Sequence, residues 1–109
     1  VLLQFWAAED RVSRIVNPVL VEVYKKYKRK GFEIYQVSVD TNRIEWVDAI
    51  DKDKLSWINV GDMKGSENAT LVYNVKELPF NYLLDKEGAI ISKNLKGPAL
   101  DKALANILK

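Results

Sequence analysis

Val1-Leu2-Leu3-Gln4-Phe5-Trp6-Ala7 is a nearly continuous apolar run, and its reading decides the fold. Such a run suits a central strand covered on both faces, where neither side of the pleat meets water. Beyond it, Ile15, Val16, Val19, Leu20, Val23, Tyr24 and Tyr27 recur in pairs at helical spacing, which predicts a helix burying this stripe. Lys25, Lys26, Lys28, Arg29 and Lys30 supply positive charge to its last turn, and Gly31 ends it. Phe32 to Val39 reads as a second strand, rich in β-branched and aromatic positions. Two strands joined through a helix demand a parallel, right-handed crossover.

The rest of the chain extends this unit. Asp40-Thr41-Asn42 offers N-cap chemistry to a helix carrying Ile44, Val47 and Ile50. Trp57 to Val60 is a short extended piece, and Ser66 can cap a helix carrying Ala69, Val72 and Tyr73. Phe80 to Leu84 and Ala89 to Ser92 are strands joined by the hairpin turn Asp85-Lys86-Glu87-Gly88. Gly97-Pro98 starts a last helix, with Leu100, Ala103, Leu104, Ile107 and Leu108 on its apolar face. The expected product is an α/β domain: a mixed central sheet flanked by helices on both faces.

Composition narrows the chemistry. With 109 residues, 48% of them hydrophobic, the chain suits one domain, residues 1–109, with one core. It opens on Val1 with no methionine and no basic region, so it reads as a fragment of a longer protein whose targeting signal lies upstream. Seventeen basic and fifteen acidic residues leave a net charge of +2, interleaved as in a solvated surface, and no nucleic-acid partner is expected. No apolar run approaches the roughly 20 residues a membrane-spanning helix needs. Cysteine and histidine are both absent. That excludes thiolate nucleophiles, disulfides and thiolate metal sites, together with the usual general base. No metal or other cofactor is expected.

Local sequence resembles the thioredoxin-like superfamily at several points, and most closely its TlpA/ResA-like thiol-disulfide oxidoreductases, relatives of the alkyl hydroperoxide reductase and thiol-specific antioxidant proteins. Val1 to Ala7 is similar to the strand ending in Phe-Trp-Ala before the family's redox motif, and Asn17-Pro18 to its Asn-Pro. Lys25-Lys26-Tyr27, Gly31-Phe32-Glu33-Ile34 and Val37-Ser38-Val39-Asp40 resemble its Tyr-Lys-Gly-Phe-Glu and Val-Ser-x-Asp segments. Leu78 to Gly88 resembles its Pro-Thr-x-Phe-Leu-Ile-Asp-x-x-Gly stretch. The resemblance implies the thioredoxin fold, a cis Leu78–Pro79 bond beside the motif, and a bacterial periplasm or cell envelope, where the family serves redox homeostasis.

The departure falls on the active site. Where the family has Cys-Gly-Pro-Cys, this chain reads Asp10-Arg11-Val12-Ser13. Val16 stands at the family's proton-transfer glutamate, and Glu9 differs as well, a pattern of natural loss rather than of a designed cysteine replacement. A carboxylate does not attack disulfides usefully, and a hydroxyl cannot form the resolving bond. Asp10 is, however, an anion and a good N-cap at a place where an anion is favoured, so it should cap the helix through the Val12 or Ser13 N–H. Pro18 lacks the N–H that would meet the Arg14 carbonyl, and a kink is expected there.

Catalytic residues are therefore expected to be none, with Asp10 and Ser13 as degenerate motif positions. A second reading gathers Asp10, Ser13 and Glu9 into a hydrolytic or binding cluster, with Arg11 or Arg14 taking an anion. Asp48, Asp51 and Asp53 fit a solvated helix end, and Trp6, Trp46 and Trp57 fit core or near-surface packing. Three functions stand side by side: a redox-inactive interaction or structural module, a thiol-disulfide oxidoreductase by descent, and a peptide-binding or chaperone-like domain. The last would use a groove at Leu78 and Pro79, with a protein or peptide as partner.

Overall fold

The computed structural model describes residues 1–61 and 78–108. Strands β1 (Leu2–Trp6) and β2 (Ile34–Ser38) flank helix α1 (Arg11–Tyr27), which runs into a 3-10 turn at Lys28–Lys30. Helix α2 (Arg43–Asp53), strand β3 (Ile58–Val60), the hairpin β4 (Phe80–Leu84) and β5 (Ile90–Lys93), and helix α3 (Gly97–Ile107) follow. The described strands form one mixed sheet in the order β3-β2-β1-β4-β5. β1 pairs parallel with β2, Leu2 opposite Ile34, and antiparallel with β4, Phe5 opposite Phe80.

All five residues of β1 are buried, as its apolar run requires. Leu2 and Trp6 face one side, where they join Leu20, Tyr24, Trp46, Leu83, Leu100 and Leu104 in the main core. The three described helices thus share that face. Leu3 and Phe5 face the other side and meet Tyr82, Val37, Leu78 and Phe80. The helix expected from Ser66 through Tyr73 lies outside the described residues.

The helix faces differ from the sequence expectation in an instructive way. On α1 the buried line is Ser13, Asn17, Leu20, Val23, Tyr24 and Tyr27, whereas Ile15 (63% exposed) and Val19 (43%) look outward. Asn17 can replace an aliphatic residue there because it is satisfied on both sides. Its amide donates to Asp53 Oδ2 at 2.9 Å, and its carbonyl oxygen accepts from Gln36 Nε2 at 3.1 Å. Gln36 in turn accepts the Trp57 indole N–H at 2.9 Å. On α2, Trp46 and Ala49 are buried while Ile44 and Val47 are exposed. Turning Asp53 toward Arg14 and Asn17 fixes that rotation. All three tryptophans are core residues.

Local chemistry ends the elements largely as expected. Gly31 closes the 3-10 turn at φ 92°, in the left-handed region that favours glycine. The Asn42 side chain caps α2 by accepting the Glu45 N–H at 3.1 Å. Asp85 Oδ1 accepts the N–H groups of Glu87 and Ala89, and Gly88 turns at φ 85°. The last strand begins at Ile90 rather than Ala89, after a register shift at Leu83/Leu84. α1 is helical without interruption through Pro18. In α3, Leu100 and Leu104 are buried while Ile107 is exposed.

Gln36→Leu tests the polar chain. It would leave the Trp57 N–H and the Asn17 carbonyl oxygen buried without partners, so we expect a loss of about 3 kcal/mol from two such groups, read as a lower urea midpoint with unchanged slope.

Candidate functional site

β1 ends at Trp6, and four residues carry the chain into α1. Asp10 is the N-cap, with extended backbone at φ −84° and ψ 118°. Its Oδ2 accepts the Ser13 N–H at 2.9 Å and the Ser13 hydroxyl at 2.8 Å, while its N–H donates to Ala7 O at 3.1 Å. Ser13 is fully buried, and its Oγ also accepts the Ala7 N–H at 3.4 Å. Asp10 and Ser13 therefore meet, as a closed cap. Of the two amides expected to bind Asp10, the structure uses Ser13.

A second carboxylate supports the same turn from below. Asp40, only 3% exposed, accepts the Ala8 N–H with both oxygens, at 2.8 and 3.0 Å, and the Ser38 hydroxyl. A buried carboxylate is tolerated because N–H and O–H donors surround it. The Asp40 role went unseen in the sequence, although its place at the end of a strand leading toward an N-cap segment was the available signal.

Glu9 does not join Asp10 and Ser13. It is exposed and meets Glu45 on the first turn of α2, and the hydrogen bond and charge of Glu45 hold the Glu9 carboxyl above the usual glutamate range. Arg14 is not free to take an anion either. Its Nε and Nη2 grip the Asp53 carboxylate at 2.7 and 3.1 Å. Asp53, with its side chain 14% exposed, is thus an interior partner of α1 and not part of a solvated helix end. Asp48 does behave as expected, in a surface pair with Lys52 at 2.9 Å, and Asp51 is exposed.

The Leu78–Pro79 bond is cis, as the resemblance implied. Phe80 pairs with Phe5 near the C-terminal end of β1, and Leu78 and Pro79 lead directly into Phe80. Asp10, Ser13, Leu78 and Pro79 consequently occupy one end of the sheet. Pro79 is buried, and Leu78 packs against the Leu3–Phe5–Tyr82 cluster. Val12 (52% exposed) and Ile15 look outward from the first turns of α1. Among the described residues no group of three or more acidic, cysteine or histidine side chains could hold a metal ion. The site offers a buried hydroxyl, a carboxylate engaged in capping and an exposed apolar strip.

A thioredoxin-like family model matches residues 1–90. The chain belongs to the thioredoxin-like family. A thiol-disulfide oxidoreductase of Bacteroides fragilis superposes with a TM-score of 0.91 at 37% identity, covering 98% of this chain and 80% of its own. The thioredoxin domain of a thiol-disulfide oxidoreductase from Bacteroides vulgatus gives 0.91 at 33% identity, over 99% and 78%. Thiol-disulfide oxidoreductase ResA of Bacillus thuringiensis is 31% identical over 109 residues, all of this chain and 61% of that relative. The fold is the thioredoxin fold, carried here without a cysteine.

Two expectations follow for this member of the family. Asp10→Ala should cost about 1 kcal/mol by loss of the cap, with Asp10→Asn recovering most of it, as read from urea midpoints. Glu9→Gln should stabilise the domain near neutral pH. The folded-state carboxyl is raised, so its ionised form is disfavoured by folding; the cost is present above the raised value and disappears as pH falls below the ordinary glutamate range. The melting temperatures of the two proteins should converge in acid, and a constant difference across pH would refute this origin.

Proposed function

We propose that this domain is a redox-inactive member of its family that serves as an interaction or structural module within a larger envelope protein. The observation that carries the reading is the Asp10 carboxylate bound to the Ser13 amide and hydroxyl at the head of α1. In the family that place belongs to a thiolate, stabilised by the same unpaired N–H groups and helix dipole. Aspartate keeps the anion and discards the sulfur. Exchange proceeds through a mixed disulfide, for which this chain has no atom. Activity inherited by descent is for that reason the weaker reading, since the site and not the fold decides chemistry. The envelope setting rests on family membership alone.

A peptide-binding role is supported by a separate observation. Val12 and Ile15 are exposed at the same end of the sheet as Leu78, with neither Glu9 nor Val12 folded inward to cover that end. The partner would be a protein or peptide segment lying against this strip. Pull-down of extended apolar peptides, lost on Val12→Glu, would favour this role over a purely structural one.

An insulin-reduction assay tests the leading reading. The natural chain should show no turnover at any pH, and measurable turnover by pure protein would overturn it. Asp10→Cys combined with Ser13→Cys should form an internal disulfide and recover weak activity, limited by Val16 where the family has its proton carrier.

A further inference from the structure

Helix α1 turns three large apolar side chains to solvent: Val12, Ile15 and Val19 are 52%, 63% and 43% exposed. With about 3.6 residues per turn, they share a sector of about 100° with Arg11 and Glu22, both exposed. Arg11 bounds this strip at the head of the helix, and Glu22 bounds it beyond Val19. Beside Val19 the apolar surface reaches the start of α3. A methyl group added to Gly97 would lie 4.0 Å from Val19 Cγ1, and Pro98 and Ala99 are exposed. Single exposed aliphatics are ordinary, but three in line on one helix face form a contact surface. We propose that this face of α1 binds the same face of a second copy of the chain, with the two helices antiparallel about a two-fold axis near Ile15. The proposal rests on the reading of the domain as an interaction module and names its partner.

Charge selects that occupant. Arg11 stands in the first turn of α1, where the helix dipole disfavours a cation and no acidic residue accompanies it. It enters no ion pair among the described residues. Glu22, at the other end of the strip, is paired among them with Lys25 alone, at 3.7 Å and with side chains 77% and 69% exposed. A strip with a cation at one end and an anion at the other is complementary to itself once one copy is reversed, as an isologous contact requires. Pairing Val12 with Val19 of the second copy places the axis between Ile15 and Val16. Arg11 and the second copy's Glu22 are then offset by two residues, about 3 Å along the helix, which two long side chains span. A parallel pairing would instead oppose like charges at both ends. The contact is small, so the association should be reversible and follow protein concentration. It covers Val12, and a bound peptide would have to displace it.

Sedimentation equilibrium on the intact protein tests the proposal, with Ile15→Lys, Arg11→Glu, Glu22→Arg, the double charge reversal and, as control, Ile44→Lys. All four positions are exposed, so each variant should stay folded. The natural protein and the control should show the same monomer–dimer equilibrium. Ile15→Lys should weaken it about tenfold. Each single reversal should weaken it about fivefold through two lost pairs, and Arg11→Glu/Glu22→Arg should return it close to the natural value. A protein that stays monomeric up to about 1 mM would overturn the pairing, while the redox-inactive reading, scored by insulin reduction, would stand. Association indifferent to Ile15→Lys, or not restored by the double reversal, would overturn it as well. Extended apolar peptides that bind a monomer along this strip would also overturn it, and would give the strip to a peptide.

Discussion

The double pairing of β1 is the constraint on which the rest of this structure depends. One edge is committed in parallel to β2 and the other antiparallel to β4, while both faces are packed. A strand so enclosed has no freedom of register, because a slip of one residue would exchange Leu2, Gln4 and Trp6 with Leu3 and Phe5. The position of the turn at its end is fixed as a result. Asp10 reaches the head of α1, and Leu78 the same end of the sheet, because β1 can sit in only one way.

That turn is then secured twice over, from above by Asp10 and from below by Asp40. The arrangement explains how this helix head keeps its fold without a cysteine. The exposed amides of a helix head need an acceptor, and a carboxylate supplies it as well as a thiolate does. Ser13 completes the cap by turning its hydroxyl onto that carboxylate. The polar chain from Arg14 and Asp53 through Asn17 and Gln36 to Trp57 adds a second set of directional contacts across α1, α2 and β2. Every partner in it is named by geometry, so α1 cannot rotate over the sheet without breaking several bonds together.

Much of this was legible in the sequence. The apolar run of β1, the crossover, the hairpin turn and the Asp10 cap all depend on residues close together in the chain, and local chemistry announces them. What was not legible depends on distance. Asp53 looks like one more acidic residue at the end of a charged helix, and its partners lie 36 and 39 positions earlier. Asn17 looks like an interruption in an apolar stripe until those partners are known. The stripe itself misled for the same reason: with Ser13 and Asn17 satisfied inside, Ile15 and Val19 were left facing out. On α2 the aliphatic stripe held only at Ile50, which packs against the core; Trp46, with the greater area to bury, took the core face with Ala49 and left Ile44 and Val47 outside.

The closed cap at Asp10 and Ser13 has a consequence for where such a domain can operate. A thioredoxin-fold protein with a dithiol exists as two species whose ratio follows the potential of its surroundings, each with its own stability and surface. Here oxidant and reductant find no thiol to convert, and the head of α1 has one covalent form. Whatever surface this end of the sheet presents, it presents unchanged on either side of a membrane that separates reducing from oxidising compartments.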